Sequence, residues 1–350
     1  MRPPKTLSTK TILSKLDPVK IKEDVEEREI EFKRTVGNTI ISSLVTVMQK
    51  RKRSEKKHPK KFYRKVTMAI SKKRPAEENV VRFIVLGNAG IPNYHVGMKF
   101  EGIHAAIGDK LVSLKDNIDF VVMTGDNFLG KGVWGCDDPQ WEKVWFERLK
   151  VEELGVPWFT VLGDRDMLGD ASTQYNFHKC EGKERMSKYW ITPSENYLLV
   201  IDETVKMLFV NTNRKKSKVS RWIRKNRPNI VVGHHFIPQK SQGEGQAVEN
   251  FITYISGHEP VLKHVKEGKT SYIVVGTSGD LMTYSFSDCP NAVTMDGMDG
   301  CGNGPTEHYN HKSYGFALIT VAKDDNAKQV ELHTYHHYEN GRSHWDVQIG

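Results

Sequence analysis

The stretch DFVVMTGDN, residues 119–127, joins a short apolar run to a glycine, a carboxylate and an amide. The run FVVM is short, apolar and rich in β-branched residues, which is typical of a buried strand. Gly125 permits a sharp turn, so Asp126 follows directly at the C-terminal end of that strand. Because open α/β sheets bind ligands outside the carboxyl ends of their strands, Asp126 is a candidate site residue.

The same pattern recurs along the chain. Apolar runs end in GNAG at residues 87–90, GDRD at 163–166, GHH at 233–235 and GHE at 257–259. Helix-like segments, including residues 96–114 and 217–225, separate the earlier runs, and the later part is richer in antiparallel-type strands. This order predicts a mixed α/β architecture with two sheets.

Positive charge is concentrated near the N-terminus. The chain has 350 residues and a net charge of +9, yet residues 1–80 alone hold 22 Lys and Arg against 10 Asp and Glu. We interpret residues 1–79 as a basic extension, disordered or partly helical, with a charged helix over 23–33. Residues 80–350 form the predicted domain.

A dense group of cations lies within that extension. Residues 50–65, KRKRSEKKHPKKFYRK, hold ten Lys and Arg and one acid. This composition predicts an acidic partner, which is RNA, DNA or an acidic protein. The alternative is a solvated tail with no partner.

Other features bear on the compartment. No run approaches the roughly 18 to 20 apolar residues of a membrane-spanning helix. The first sixteen residues lack the apolar centre of a secretory signal, which favours an intracellular protein of the nucleus or cytoplasm. A mitochondrial targeting segment is the alternative. The four cysteines are expected to be free thiols, although Cys289 and Cys301 share one loop and would pair in an oxidising compartment.

Taken together, GNAG, GDNF, GDRD, GHH and GHEP occur in the order of the metallophosphoesterase motifs. The flanking text, FIVLGNAGIPN, TGDNFLGKGVWGCDDPQWEKVW and VPWFTVLGDRDMLGDASTQY, resembles the purple, or tartrate-resistant, acid phosphatase branch. This resemblance covers residues 80–337. It implies a four-layer αββα sandwich and a two-metal site that hydrolyses phosphomonoesters, in which the metals activate a bridging water.

The resemblance implies that the first metal site is degenerate. The positions that supply its ligands correspond here to Asn88, Asp126, Leu129 and Pro260. Asn88 is a weak neutral ligand, and the side chains of Leu129 and Pro260 offer no donor atom. The resemblance therefore argues against a dinuclear centre.

The second metal site keeps a full set of ligand types. Its positions correspond to Asp126, Asp164, His234 and His258. Two carboxylates and two neutral imidazoles balance one divalent cation, and mixed oxygen and nitrogen ligands suit Zn, Mn or Fe(II). We expect one divalent metal here; the alternative is a metal-free remnant of the site.

The predicted chemistry is impaired in one further respect. The family's proton-donor histidine corresponds to Arg165, which stays protonated and cannot act as a general acid, although it can grip a phosphate. Asn127 is the other expected substrate contact. No second active-site histidine is expected, because His235 directly follows His234. The resemblance therefore implies a pseudophosphatase that acts as a binding or scaffold module; the alternative is a slow single-metal phosphomonoesterase.

Three other groups are expected to have no role in a site. His333, His336 and His337 are expected at the surface. Asp166, Asp170 and Asp280 adjoin glycines and are expected in turns. Trp141 and Trp145 are expected to pack one face of a helix over residues 139–149.

Overall fold

A computed structural model describes most of the protein. The described residues are 24–36, 39–51, 63–71, 79–90, 101–128, 130–213, 216–235, 253–267, 270–279, 306–311, 314–323, 328–337 and 343–349. They form two β-sheets with helices outside them. No helix in these ranges is long and apolar enough to cross a membrane.

The strands are numbered in chain order. They are β1 Asp24–Val36, β2 Thr39–Arg51, β3 Tyr63–Ser71, β4 Val80–Leu86, β5 Phe120–Met123, β6 Trp158–Thr160, β7 Trp190–Ile191, β8 Tyr197–Ile201, β9 Val205–Phe209, β10 Ile230–Val232, β11 Thr253–Ser256, β12 Leu262–Glu267, β13 Thr270–Val275, β14 Thr306–His311, β15 Tyr314–Ala322, β16 Lys328–His337 and β17 Ser343–Ile349. The order in one sheet is β1-β2-β3-β8-β9-β10-β11-β13-β12-β14. The order in the other is β17-β16-β15-β4-β5-β6-β7.

The helices are short. The α-helices are α1 Glu101–Ser113, α2 Val151–Leu154, α3 Ala171–Asn176, α4 Glu184–Ser187 and α5 Lys216–Asn226. The 3₁₀ turns are Lys115–Asn117, Asp166–Leu168 and Phe177–Lys179, and a π-helix spans Trp141–Phe146. The predicted helices over 96–114 and 217–225 correspond to α1 and α5.

The two sheets pack face to face around one apolar core. Phe159 on β6 contacts Phe209 on β9 across that core, with 6.2 Å between ring centroids. Helix α5 covers the outer face of the ten-stranded sheet through buried Ile223. Helix α1 lies against the seven-stranded sheet, where Ala106 packs beside Tyr335. The predicted four-layer α/β sandwich is confirmed.

The N-terminal residues differ from the sequence prediction. The helix expected over 23–33 is wrong, because β1 covers this segment and pairs with β2 in an antiparallel ladder. Strand β3 then pairs in parallel with β8 and joins the hairpin to the domain. The sequence of β1 explains this outcome, since buried Ile30 and Phe32 alternate with exposed Glu29 and Glu31. The basic residues 52–62 connect two strands and lie outside the described residues.

Two expectations about cysteines and histidines also change. Cys136 and Cys180 form a disulfide, so the expectation of free thiols is wrong for this pair. Cys289 and Cys301 lie outside the described residues. His333 on β16 is buried, with its ring stacked on Phe316 at 4.7 Å, so its predicted surface position is wrong. The side chains of His336 and His337 are outside the described part of the chain.

Burial of His333 generates a prediction about pH. Burial, together with the positive charge of Lys110, lowers the pKa of His333 to about 4 from 6.5. The Glu331 carboxylate lies 3.3 Å from Nε2. The unfolded state therefore binds a proton between about pH 6.5 and 4 that the folded state does not, and the free energy of unfolding falls over this window by at most about 3 kcal/mol.

The substitution His333→Phe should remove this part of the pH dependence while leaving the unfolding free energy near pH 7.5 little changed. Urea unfolding of both proteins at pH 7.5 and pH 5 measures the difference. His344→Ala, at an exposed histidine on β17, is the control for the loss of a histidine side chain. An equal fall in the free energy of unfolding between pH 7.5 and pH 5 in His333→Phe and wild type would contradict the prediction.

Candidate metal centre

Five loops bring the predicted site residues to one edge of the sandwich. Each loop follows the C-terminal end of a strand. Their site residues are Asn88 after β4, Asp126 after β5, Asp164 after β6, His234 after β10 and His258 after β11. Strands β4, β5 and β6 are parallel neighbours, as are β10 and β11, so their C-terminal ends share an edge.

The backbone at this edge is tightly constrained. Asn88, Asp126 and His258 have positive φ values of 52°, 51° and 60°, a region that non-glycine residues rarely adopt. A Cβ atom at Gly125 would come within 2.5 Å of His234 Nδ1, and one at Gly163 within 2.0 Å of Asp126 Oδ1. The glycines of the GD motifs are therefore needed for the close approach of the loops.

Three donor atoms converge in the centre. Asp164 Oδ1 lies 2.9 Å from His234 Nε2 and 3.4 Å from His258 Nδ1, and the two ring nitrogens are 3.2 Å apart. Ligands that bind one zinc ion at about 2.0 to 2.1 Å with tetrahedral angles lie roughly 3.3 Å apart. The three atoms therefore fit one face of a tetrahedral coordination shell.

The hydrogen bonds of His234 decide what can lie between these atoms. Its Nδ1–H donates to the carbonyl oxygen of Thr124 at 2.9 Å, so the neutral ring carries a lone pair and no proton on Nε2. A lone pair facing the Asp164 carboxylate at 2.9 Å is repulsive. The contact requires a second proton on the ring or a cation in its place. A carbonyl that orients a ligating histidine in this way is a common feature of metal sites.

Electrostatics in the centre favour positive charge. Burial alone would lower the pKa of His234, but the hydrogen bond to Asp164 and the charges of Asp126 and Asp164 raise it above its ordinary value. Burial opposes ionisation of Asp164, yet its contacts with the two histidines hold its pKa well below the usual range. Burial and the Asp164 charge raise the pKa of Asp126, which is fully buried.

Asp126 supplies an observation that fits a bound cation. Its Oδ1 accepts the backbone N–H of Arg165 at 3.0 Å and lies 3.5 Å from His234 Nε2. Its buried Oδ2 has no hydrogen-bond partner among the described residues. An unpaired buried carboxylate oxygen beside a cluster of ligands is costly unless a cation or proton satisfies it. The residues present therefore fit one divalent ion.

The positions of the other metal site do not provide such a set. Asn88 is buried, and its Nδ2 donates to the carbonyls of Gly276 at 3.0 Å and His258 at 3.3 Å. Its Oδ1 faces no partner in the part of the chain that the structure describes. Pro260 is half-buried and has no donor atom, and Leu129 is outside the described residues.

The two predicted substrate contacts lie on the same loops. Asn127 is buried, and its Nδ2 donates to the Val161 carbonyl at 2.9 Å, so its amide nitrogen braces the loop after β6. Arg165 is half-buried, and its backbone N–H bonds to Asp126. Contact of either side chain with a phosphate stays a prediction.

Sequence reasoning missed two residues of this centre. His235, which was set aside, joins Asp164, His234 and His258 in a group whose ligand atoms lie within 4.8 Å of one another. The backbone N–H groups of His234 and His235 both donate to Thr212 Oγ1, and this bend directs both rings to the centre. The sequence signal that could have identified His235 is the pair of consecutive histidines in the GHH motif.

The second missed residue is Asp166, which is completely buried and is more than a turn residue. Its carboxylate accepts the backbone N–H groups of Asn127, Phe128 and Gly163 and the Nε2 of Gln174, at 2.9–3.2 Å. Burial and the Asp126 charge raise its pKa to about 7. Asp166 thus ties together the loops that follow β5 and β6.

Similarity to known proteins places this centre in a family. The family model for calcineurin-like phosphoesterases matches residues 95–280, more than half of the chain. The chain belongs to the calcineurin-like phosphoesterase family. Its relatives lie in the purple acid phosphatase branch.

Two curated relatives show how similar the chain is to characterised members of this branch in sequence. Purple acid phosphatase 3 of Arabidopsis thaliana is 25% identical over 254 residues, which is 60% of this chain and 66% of that protein. Tartrate-resistant acid phosphatase type 5 of Mus musculus is 29% identical over 222 residues, or 59% of this chain and 64% of that protein. The chain spans slightly less than two thirds of the length of these relatives.

A solved structure shows the same fold. It is described as GAP50, the anchor in the inner membrane complex of Plasmodium, and it superposes with a TM-score of 0.51 at 20% identity. The match covers 78% of this chain and 90% of that one. At this identity the match supports the metallophosphoesterase fold alone.

The network around Asp166 generates a prediction. In Asp166→Asn, an NH₂ group replaces one carboxylate oxygen and faces N–H donors that then lose their acceptor. Such a loss costs about 1–3 kcal/mol per unsatisfied buried group, so we expect unfolding to become easier by roughly 2–4 kcal/mol. Chemical denaturation measures the change, with Asp170→Asn at the half-buried N-cap of α3 as the control. Equal losses in the two variants would contradict the role of the buried network.

Proposed function

We propose that this metallophosphoesterase relative is a pseudophosphatase that holds one divalent metal ion and acts as a binding or scaffold module. The observation that carries the proposal is the contrast between the two halves of the centre. Asp164, His234 and His258 present donor atoms in a triangle of 2.9, 3.2 and 3.4 Å, next to buried Asp126. The other half has Asn88, engaged with two carbonyls, and Pro260, without a donor.

The residues of the chain also limit phosphoester hydrolysis. A bound divalent ion supplies Lewis-acid activation of a water or a phosphoryl oxygen. Arg165 stands where the family places its proton donor and stays protonated, so it can stabilise negative charge but cannot deliver a proton to a leaving group. Loss of general-acid catalysis alone lowers rates by about 10² to 10⁴-fold. The proposal therefore assigns binding, and not turnover, to this centre.

A slow single-metal phosphomonoesterase is the rival function, and one observation favours it. The ligand cluster opens to the surface, because the side chain of Asp164 is 42% exposed and that of His258 is 29% exposed. An ion there is accessible to a phosphoester with a good leaving group. A phenolate or a nucleotide would depart without help from an acid.

Metal content and activity together test the proposal. We expect one ion per chain after equilibration with excess zinc and removal of the unbound metal, because one half of the centre has a ligand set. Hydrolysis of p-nitrophenyl phosphate should be at least about 10²-fold slower than by an intact tartrate-resistant acid phosphatase assayed in parallel. His258→Ala should lose the ion, whereas His344→Ala, the exposed control, should retain it. Two ions per chain, or turnover at the relative's rate, would overturn the proposal.

An acidic partner is proposed for the basic residues 50–65. These residues link β2 to β3, so they extend from the ten-stranded sheet and not from a detached tail. Deleting the N-terminal extension would also remove three strands of the sheet. Substitution of the basic residues is therefore the more specific test. Replacing the lysines and arginines within 52–61 by glutamine should abolish salt-sensitive binding to RNA. Unchanged binding would exclude these cations as the contact.

The disulfide bears on the cellular compartment that we propose for the protein. Disulfides persist in oxidising environments and are rare in the cytosol and nucleus. The Cys136–Cys180 bond therefore supports an oxidising compartment over the nucleus or cytoplasm that the sequence favoured. Trapping of free thiols during non-reducing extraction tests this point. Alkylation of Cys136 and Cys180 before any reduction would contradict it.

A further inference from the structure

The metal centre contains one more histidine than the family's second metal position requires. His235 is half-buried beside the triangle of donor atoms. Its ring centroid lies 4.3 Å from that of His258 and 4.8 Å from that of His234. With Asp164, these residues each offer one ligand atom, and all four atoms lie within 4.8 Å of one another.

We propose that His235 supplies the fourth protein ligand and closes the coordination shell of the ion. This inference rests on the proposed function, because it specifies how the same ion is held. Three histidines and one carboxylate form a ligand set typical of tetrahedral zinc. Closed four-ligand shells characterise structural sites, whereas catalytic sites keep one position open for water or substrate. His235 thus occupies the position that a phosphoester would need.

The surroundings of His235 hold its ring in place. Thr212 Oγ1 lies 3.3 Å from its Nδ1 and also accepts the backbone N–H of His235 at 2.8 Å. The carbonyl oxygen of His235 accepts the hydroxyl of buried Tyr254 at 2.7 Å. The backbone of the residue is therefore fixed beside the centre. Two ligands of one zinc ion at about 2.0 to 2.1 Å lie at most about 4.2 Å apart, so the His235 ring closes on the ion by several tenths of an ångström when it binds.

Asp126 is the competing fourth ligand, and it lies outside the group of four neighbouring ligand residues that includes His235. Asp126 lies deeper than the cluster, and its Oδ1 already accepts a backbone hydrogen bond from Arg165. The partly exposed His258 and Asp164, together with His235, surround the open side of the ion position. Asp126 Oδ1 lies 3.5 Å from the ligand nitrogen of His234, so Asp126 contributes negative charge beside the ion without a direct bond to it.

Cobalt(II) substitution of the full chain tests the inference without reference to activity. Four-coordinate cobalt absorbs visible light far more strongly than five- or six-coordinate cobalt. We expect the wild type to show the strong four-coordinate spectrum and to keep it unchanged when phosphate or azide is added. His235→Ala should leave a position that these anions enter, so its spectrum should change on their addition. Its zinc affinity should also fall by more than about tenfold, since loss of even an outer-shell partner costs that much.

Two further variants make the outcome decisive. His235→Gln keeps a polar side chain beside Thr212 and should behave like His235→Ala if coordination is what matters. Asp126→Asn, saturated with cobalt, should retain the four-coordinate spectrum. A wild-type spectrum that shifts with phosphate, or a four-coordinate spectrum lost in Asp126→Asn and kept in His235→Ala, would overturn the role of His235 while leaving a single bound metal intact. Wild-type protein that binds no cobalt would instead overturn the proposed function itself.

Discussion

The contact between the Asp164 carboxylate and Nε2 of His234 is attractive only when a positive charge lies between the two atoms. The other ring nitrogen, Nδ1, carries the proton of the neutral ring and donates a hydrogen bond to the Thr124 carbonyl. Nε2 therefore presents a lone pair to Asp164. A proton meets this need in the absence of metal, and a divalent ion meets it better because it also satisfies His258 and the buried charge of Asp126. The remaining features of the centre follow from this constraint.

The fold supplies the close approach that this constraint demands. Thr124 contacts the carbonyls of Leu86 and Val275, which belong to different sheets, and so fixes the edges of the two sheets against each other. Gly125 and Gly163 allow the backbones to come within reach of His234 and Asp126. The buried Asp166 carboxylate accepts backbone hydrogen bonds from the loops after β5 and β6 and so holds the two loops together. Both sheets therefore contribute to the centre. The positions of its ligand atoms depend on these backbone contacts as much as on the ligand residues themselves.

Much of this arrangement could be predicted from the sequence, because short apolar runs that end in glycine specify strand ends. The runs before Asp126, Asp164, His234 and His258 are local patterns, and their convergence follows from the geometry of parallel strands. The N-terminal hairpin could not be predicted in the same way. Its first strand is rich in charge, and only its pairing with β2 and the burial of Ile30 and Phe32 make it a strand.

The missed residues share one physical cause, which is that their roles depend on contacts distant in sequence. His235 reaches the centre because Thr212 captures two consecutive N–H groups, and Asp166 is buried because a second loop surrounds it with donors. The Cys136–Cys180 bond joins two residues that are 44 positions apart in the sequence. Spacing along the chain carries none of this information.

Anomalous diffraction from crystals of the full chain soaked in zinc tests the central claim most directly, since it locates each ion relative to its ligands. We expect one peak, bounded by Asp164, His234 and His258, with no second peak between Asn88 and Asp126. Paired peaks on either side of Asp126 would contradict a centre that has kept one half of its ligands and lost the other.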